Sequence, residues 1–154
     1  MDERLKADVI SILNQGQDLT LATLREDGWP QATTVSYASQ GLDIYFGCDA
    51  RSQKARNLAR DDRVSATVDL PYANWGQIHC LSLGGRARRL TDPEEIGRVG
   101  ALFFAKFPQM GDYMTASDGG ELALFQITPQ VISVLDYRQG FGHHDVVQAA
   151  EPVV

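Results

Sequence analysis

Apolar and polar positions alternate in short runs along most of the chain, and glycine, proline and aspartate cut the runs apart. Leu5, Val9, Ile10, Ile12 and Leu13 share one helical face, which Asn14-Gln15-Gly16 ends. Leu19 to Leu24 reads as a strand, Arg25-Glu26-Asp27-Gly28 as a tight turn and residues 30–37 as the returning strand. Asp27-Gly28 is a strong hairpin signal because glycine takes a positive φ at little cost. Pro30 fits only the first position of its strand. Leu42 to Phe46 alternates as a third strand, residues 52–60 form a short helix, and residues 63–70 form a fourth strand with Val64, Ala66 and Val68 on one face. Residues 77–90 make one long strand, or two joined at Gly84-Gly85, where a glycine pair marks a bulge or sharp bend. Thr91 or Asp92 caps a helix that starts at Pro93 and runs to about Lys106. A second helical piece follows Pro108, and a final strand spans residues 121–136, broken at Thr128-Pro129.

This order of elements predicts a mainly β fold: an antiparallel barrel of six to seven strands with short flanking helices, closed to remove its edges. No alternation of strand and helix supports a doubly wound sheet. The 154 residues suit one domain, expected over residues 1–147, with residues 148–154 as a loose tail in which Val153 and Val154 can dock. Fourteen basic residues against twenty acidic ones leave a net charge of -6, a field that disfavours nucleic acid. No apolar stretch approaches the ~20 residues that cross a bilayer. The start, Met1-Asp2-Glu3-Arg4-Leu5-Lys6, lacks a signal-peptide pattern, so cytoplasm is the expected compartment. Cys48 and Cys80 sit in apolar strand-like sequence and read as buried free thiols.

Candidate chemistry concentrates at Ser52 and Lys54. A hydroxyl and an ammonium two residues apart, at a helix start with free N–H groups, can hold a phosphate. Arg51, Arg56 and Arg60 surround them. The same residues also describe a capped, solvated helix. Thr33, Thr34 and Ser36 are polar positions in the apolar hairpin, with Thr34 and Ser36 on one face. They fit a ligand wall or simply the wet side of a strand.

The order of these pieces resembles the FMN-binding split barrel of the pyridoxamine 5'-phosphate oxidase superfamily. The residues that carry the likeness are 21–24, Asp27-Gly28-Trp29-Pro30-Gln31-Ala32-Thr33-Thr34-Val35, Leu42 to Phe46, Ser52 to Leu58 and Asp62 to Ala66. The resemblance implies FMN as cofactor and a homodimer with two flavin sites at the subunit interface. It implies that Thr33, Thr34, Val35 and Ser36 border the flavin ring, that Phe46 and Gly47 lie by the ribityl chain, and that Ser52, Gln53 and Lys54 hold the phosphate. Thr33, Gln53 and Ala38 stand where true pyridoxamine phosphate oxidases carry cationic residues, which argues against vitamin B6 phosphate oxidation. The implied activity is flavin hydride transfer to an unknown small redox substrate.

A second constellation is Tyr137-Arg138-Gln139-Gly140-Phe141-Gly142-His143-His144. Two glycines around Phe141 let the backbone pass close to a ligand on which Phe141 can stack. Similar Gly-Phe-Gly endings in split-barrel proteins imply a place near the cofactor. His143, His144 and Tyr137 are weak candidates for acid–base work and equally plain surface residues. Trp75 either covers the partner's flavin across a dimer interface or plugs a loop. Phe103, Phe104, Phe107, Tyr113 and Met114 read as core packing or a dimer contact. His79, His143 and His144 have no motif spacing that proposes a metal site. Three other readings stay open: a flavin-storing or sensing module, a haem- or deazaflavin-handling protein on the same barrel, and a barrel used only for protein contacts.

Overall fold

The Asp27-Gly28 turn, with Gly28 at φ 86°, returns the chain at Pro30 and starts the sheet. The structure is a computed structural model, and it describes residues 2–114 and 120–149. In chain order its elements are α1 (Glu3–Gln15), β1 (Asp18–Leu24), β2 (Pro30–Gln40), β3 (Asp43–Asp49), α2 (Gln53–Arg60) and β4 (Arg63–Asp69). There follow β5 (His79–Arg89), α3 (Pro93–Lys106), α4 (Met110–Met114), β6 (Leu122–Asp136) and β7 (His144–Gln148). Single 3-10 turns lie at Trp75–Gln77 and Tyr137–Gln139. No described helix is long and apolar enough to cross a membrane.

All strand pairs are antiparallel, in the order β3-β2-β1-β4-β5-β6-β7, and an added β3–β6 pairing closes six of them into a barrel. The fifteen-residue β6 makes this possible. One edge of it bonds to β5 along its length; the other bonds to β3 over Leu122–Ile127 and to β7 over Val131–Leu135. At the closing seam Phe46 and Phe125 face each other in register, with ring centres 5.2 Å apart and planes 10° from parallel. Inward residues of the six barrel strands, among them Leu19, Val35, Ile44, Val68, Leu81 and Ile132, fill the barrel. Val9, Ile12 and Leu13 of α1 join that core, and the Tyr37 hydroxyl donates to the Leu13 carbonyl at 2.8 Å.

Ile44, Tyr45 and Phe46 are all buried because β3 is covered on both faces. Its outer face, with Ala38 of β2, lies under α3 in a separate apolar cluster with Leu90, Val99 and Phe103. The cap of α3 is Asp92, whose carboxylate accepts from the Glu94 N–H.

Two sequence expectations change. The strand over residues 121–136 is continuous through Thr128-Pro129, and it is not the last: β7 follows it. Pro129 is accommodated because Gly84 pairs with Val131 and Gly85 with Pro129, so Gln130 is an extra residue in β6. Cys48 and Cys80 are free but half-buried, not fully buried. The tail expected over residues 148–154 falls, from residue 150 on, outside the described residues.

A Cβ at position 85 would lie 2.4 Å from the Thr128 carbonyl oxygen, whereas one at 84 would find Val131 at 3.5 Å. Gly85→Ala is expected to cost about 1–3 kcal/mol in urea unfolding and Gly84→Ala clearly less; equal costs would show that the bulge imposes no close approach.

Candidate functional site

α2 begins where Asp49 and Ser52 turn the chain out of β3. The Ser52 hydroxyl caps the helix by accepting from the Ala55 N–H at 3.3 Å. Asn57, fully buried, donates to Thr23 Oγ1 at 3.0 Å and to Gln31 Oε1 at 3.2 Å, which fastens α2 to β1 and β2. Nothing in the polar stretch Gln53-Lys54-Ala55-Arg56-Asn57 signals that buried amide in advance.

Most of the local positive charge is already committed. Arg51 pairs through two nitrogens with the Asp49 carboxylate, and the guanidinium lowers the Asp49 pKa to about 2. Arg56 donates to the Arg51 carbonyl and to Gln53, and Arg60 to the Leu24 carbonyl. Gln53 turns its amide nitrogen to Asn57 at 2.8 Å. Lys54 lines a cavity of about 760 Å³ between the end of β3 and the α3–α4 face.

Six of the sequence-predicted residues line that cavity: Thr34, Val35, Ser36, Gly47, Ser52 and Lys54. Five do not: Thr33 lies outside the lining, Phe46 is sealed in the barrel against Phe125, Gln53 is tied to α2, and Trp75 and Phe141 lie elsewhere. The opposite wall was not expected: Phe103, Phe104, Phe107, Met110 and Tyr113 make it apolar, with Leu122 and Leu124 beside them. The aromatic run of residues 103–113 was the available signal, and helical spacing makes it equally compatible with core packing.

Trp75, Tyr137 and Phe141 meet elsewhere. Phe141 lies 5.9 Å from Trp75 and 5.2 Å from Tyr137, centre to centre, and is 79% exposed. This cluster sits beside the far end of β6. From Leu124 to Leu135 the strand runs roughly 30–35 Å, farther than one small cofactor reaches within a chain. Gly140 and Gly142 take φ of 141° and 83°, and the segment folds back so that the Asp136 N–H donates to the His143 carbonyl.

The two histidines there have distinct bonding. His144 Nδ1 lies 3.3 Å from the Gly142 carbonyl oxygen, an acceptor only, so Nδ1 is the donor of that bond. His143 has the reverse arrangement: Nε2 lies 3.1 Å from Asp145 and donates to it. Buried Asp136 organises the turn by accepting from Arg138 at 2.7 and 2.9 Å and from Gln139 at 3.0 Å. The Arg138 guanidinium and these bonds hold the Asp136 carboxyl well below the usual carboxylate range. Asp8, His79 and Asp136 bring metal-ligating atoms within 4.8 Å of one another. His79 Nε2 lies 2.9 Å from Asp8, joining α1 to β5, and Arg138 supplies the positive charge beside Asp136.

The family profile described as pyridoxamine 5'-phosphate oxidase matches residues 5–136. The chain belongs to that family. Its fold is similar to a haem-binding protein from Mycobacterium smegmatis, at 23% identity and TM-score 0.78, over 94% of this chain and 57% of the other. It is also similar to conserved hypothetical protein Rv2991 from Mycobacterium tuberculosis, at 26% identity and TM-score 0.74, over 97% and 93%. The haem storage protein HutZ from Vibrio cholerae matches at 17% identity and TM-score 0.66, over 80% and 88%. No curated protein matches the chain.

FMN, the expected cofactor, does not stand for this family member. Two of the similar structures are named for haem, and Asp8, His79 and Asp136 form a group suited to a metal. The cavity agrees: a phosphate dianion needs several cationic partners, but Arg51, Arg56 and Arg60 are engaged elsewhere and the Asp49 carboxylate shares the lining with Lys54.

The Asp136 pKa is depressed in the folded state. Its contribution to stability is therefore present above the ordinary value of 3.8 and is lost as pH falls below it. Thermal melts from about pH 5 to about pH 2 should show a shallower acid loss in Asp136→Asn than in wild type. Parallel curves would remove Asp136 from the acid transition.

Proposed function

We propose that this chain is a haem-handling member of the pyridoxamine 5'-phosphate oxidase family, working as a homodimer. The observation that carries the reading is the cavity: a large, mainly apolar recess with Lys54, Ser52 and the Arg51-paired Asp49 in its lining. A porphyrin is a flat apolar ring with two singly charged carboxylates. It suits phenylalanine walls and one lysine better than a phosphate dianion does. The similar folds of a haem-binding and a haem storage protein support the same class.

Iron needs a ligand, and His144 fits the role. Its Nδ1 lies against a backbone carbonyl, the arrangement that orients a ligating imidazole, and its exposed ring offers Nε2 as the ligand atom. His143 offers only Nδ1, crowded by its own side chain, and is the poorer candidate. Within one chain His144 lies far from the cavity, so the proposal assigns the cavity to one copy and His144 to the other. The exposed outer faces of β1, β2 and β4 would seat the second copy. Thr34, Thr20 and Thr67 lie side by side there, exposed, and Thr34 also borders the cavity. Trp75 and Phe141 of the incoming copy would then close over the ring. Bound haem supplies one-electron and dioxygen chemistry. This chain's residues bind it, exclude water from it and orient the imidazole; none is assigned as a catalytic acid or base.

Titrating hemin into the purified chain should give a sharpened Soret band. His144→Ala is expected to abolish the ligand-field shift, His143→Ala to keep it, and Lys54→Ala to weaken binding by about ten-fold. A wild-type spectrum indistinguishable from free hemin, or one indifferent to His144→Ala, would contradict the assignment.

A further inference from the structure

α3 and α4 are a wall of the cavity but not of the barrel core. They rest on the small cluster formed by Ala38, Tyr45, Leu90, Val99 and Phe103. The last residue of α3 has an unusual position. The Lys106 Nζ is buried and meets no hydrogen-bond acceptor among the described residues. It lies 3.8 Å from the centre of the Tyr37 ring and 5.6 Å from that of Phe107.

A ring face returns only part of the hydration that a buried ammonium gives up. Burial pushes the Lys106 amine down from 10.5 to about 8, against the pull of the Asp18 carboxylate on β1. The other groups around it are neutral. Tyr37 of β2 has its own pKa raised by burial and its hydroxyl engaged on Leu13, so the ring stays an uncharged phenol. Asn14 of α1 and Ser39 of β2 line the small recess beside Lys106, and neither carries charge.

We infer that Lys106 is a built-in release for the cavity wall: charged, it favours lifting the end of α3 from β2 so that Nζ regains water, and neutral, it lets the wall stay seated. The direction follows from proton binding. The lifted form hydrates the amine and holds its proton at the ordinary pKa, while the seated form holds it more weakly. Protons therefore bind the lifted form, and lifting becomes rarer as pH rises from about 8 towards 10.5. Phe103 on α3 and Phe107 at its C-cap line the cavity, so lifting the helix end opens that wall whatever the occupant.

Hydrogen exchange of residues 100–107 in the full chain, without haem and corrected for intrinsic rates, tests this at about pH 7 and about pH 9.5. Lys106→Met fills the same channel without charge. It is expected to exchange about ten-fold more slowly than wild type at the lower pH, with the gap narrowing at the higher. Equal or faster exchange in the variant at the lower pH would overturn the inference. If the variant does not fold, wild type alone decides: exchange over 100–107 that slows relative to α2 as pH rises supports the release, and a constant ratio removes it. Because no haem is present, the outcome is independent of the haem reading.

Discussion

β6 serves two partners along one edge, and the rest of the molecule depends on it. Its first half closes the barrel against β3, with Phe46 stacked on Phe125 at the seam. Its second half, still bonded to β5, carries β7 on that edge. A straight strand would not do both while keeping β5 bonded on its other edge. The extra residue Gln130 opposite Gly84 and Gly85 takes up the change of direction, and Gly85 tolerates the Thr128 carbonyl only because it lacks a Cβ.

That division sets the geometry of function. The barrel half of β6 contributes Leu122 and Leu124 to the apolar cavity, close to Ser52 and Lys54. The outer half ends at Asp136, whose buried carboxylate fixes the turn that presents Phe141, His143 and His144. One chain therefore separates the apolar cavity from the segment that carries Phe141, His143 and His144. Under the proposed haem reading, two copies complete each other through the outer faces of β1, β2 and β4, which reach the cavity edge at Thr34.

The strands and helices were legible because their burial follows periods of two or 3.6 residues, as in Val64, Ala66 and Val68 or Val9, Ile12 and Leu13. The family was legible from the order of those elements. The losses have physical causes. β3 is buried on both faces, so alternation cannot say which way Phe46 points. β7 is five residues long and mostly polar, inside a glycine- and histidine-rich stretch. Ser52 and Lys54 mark an anion without distinguishing phosphate from carboxylate. The neutralisation of Arg51 by Asp49, and the capture of Arg56 and Arg60 by carbonyls, appear only in three dimensions. Asn57 sits in sequence that reads as solvated helix and Lys106 at a helix end, yet the Asn57 amide and the Lys106 Nζ are buried.

Under the proposed haem reading, a working site needs the cavity of one copy and His144 of another. Mixing two crippled proteins tests it directly: Lys54→Ala and His144→Ala, each poor in haem binding, are unfolded together, refolded and titrated with hemin. In a shared site the mixed dimer contains one wild-type cavity facing one wild-type His144, so native Soret intensity should return at about one site in four. A mixture that binds no better than the average of its two parents would contradict the account.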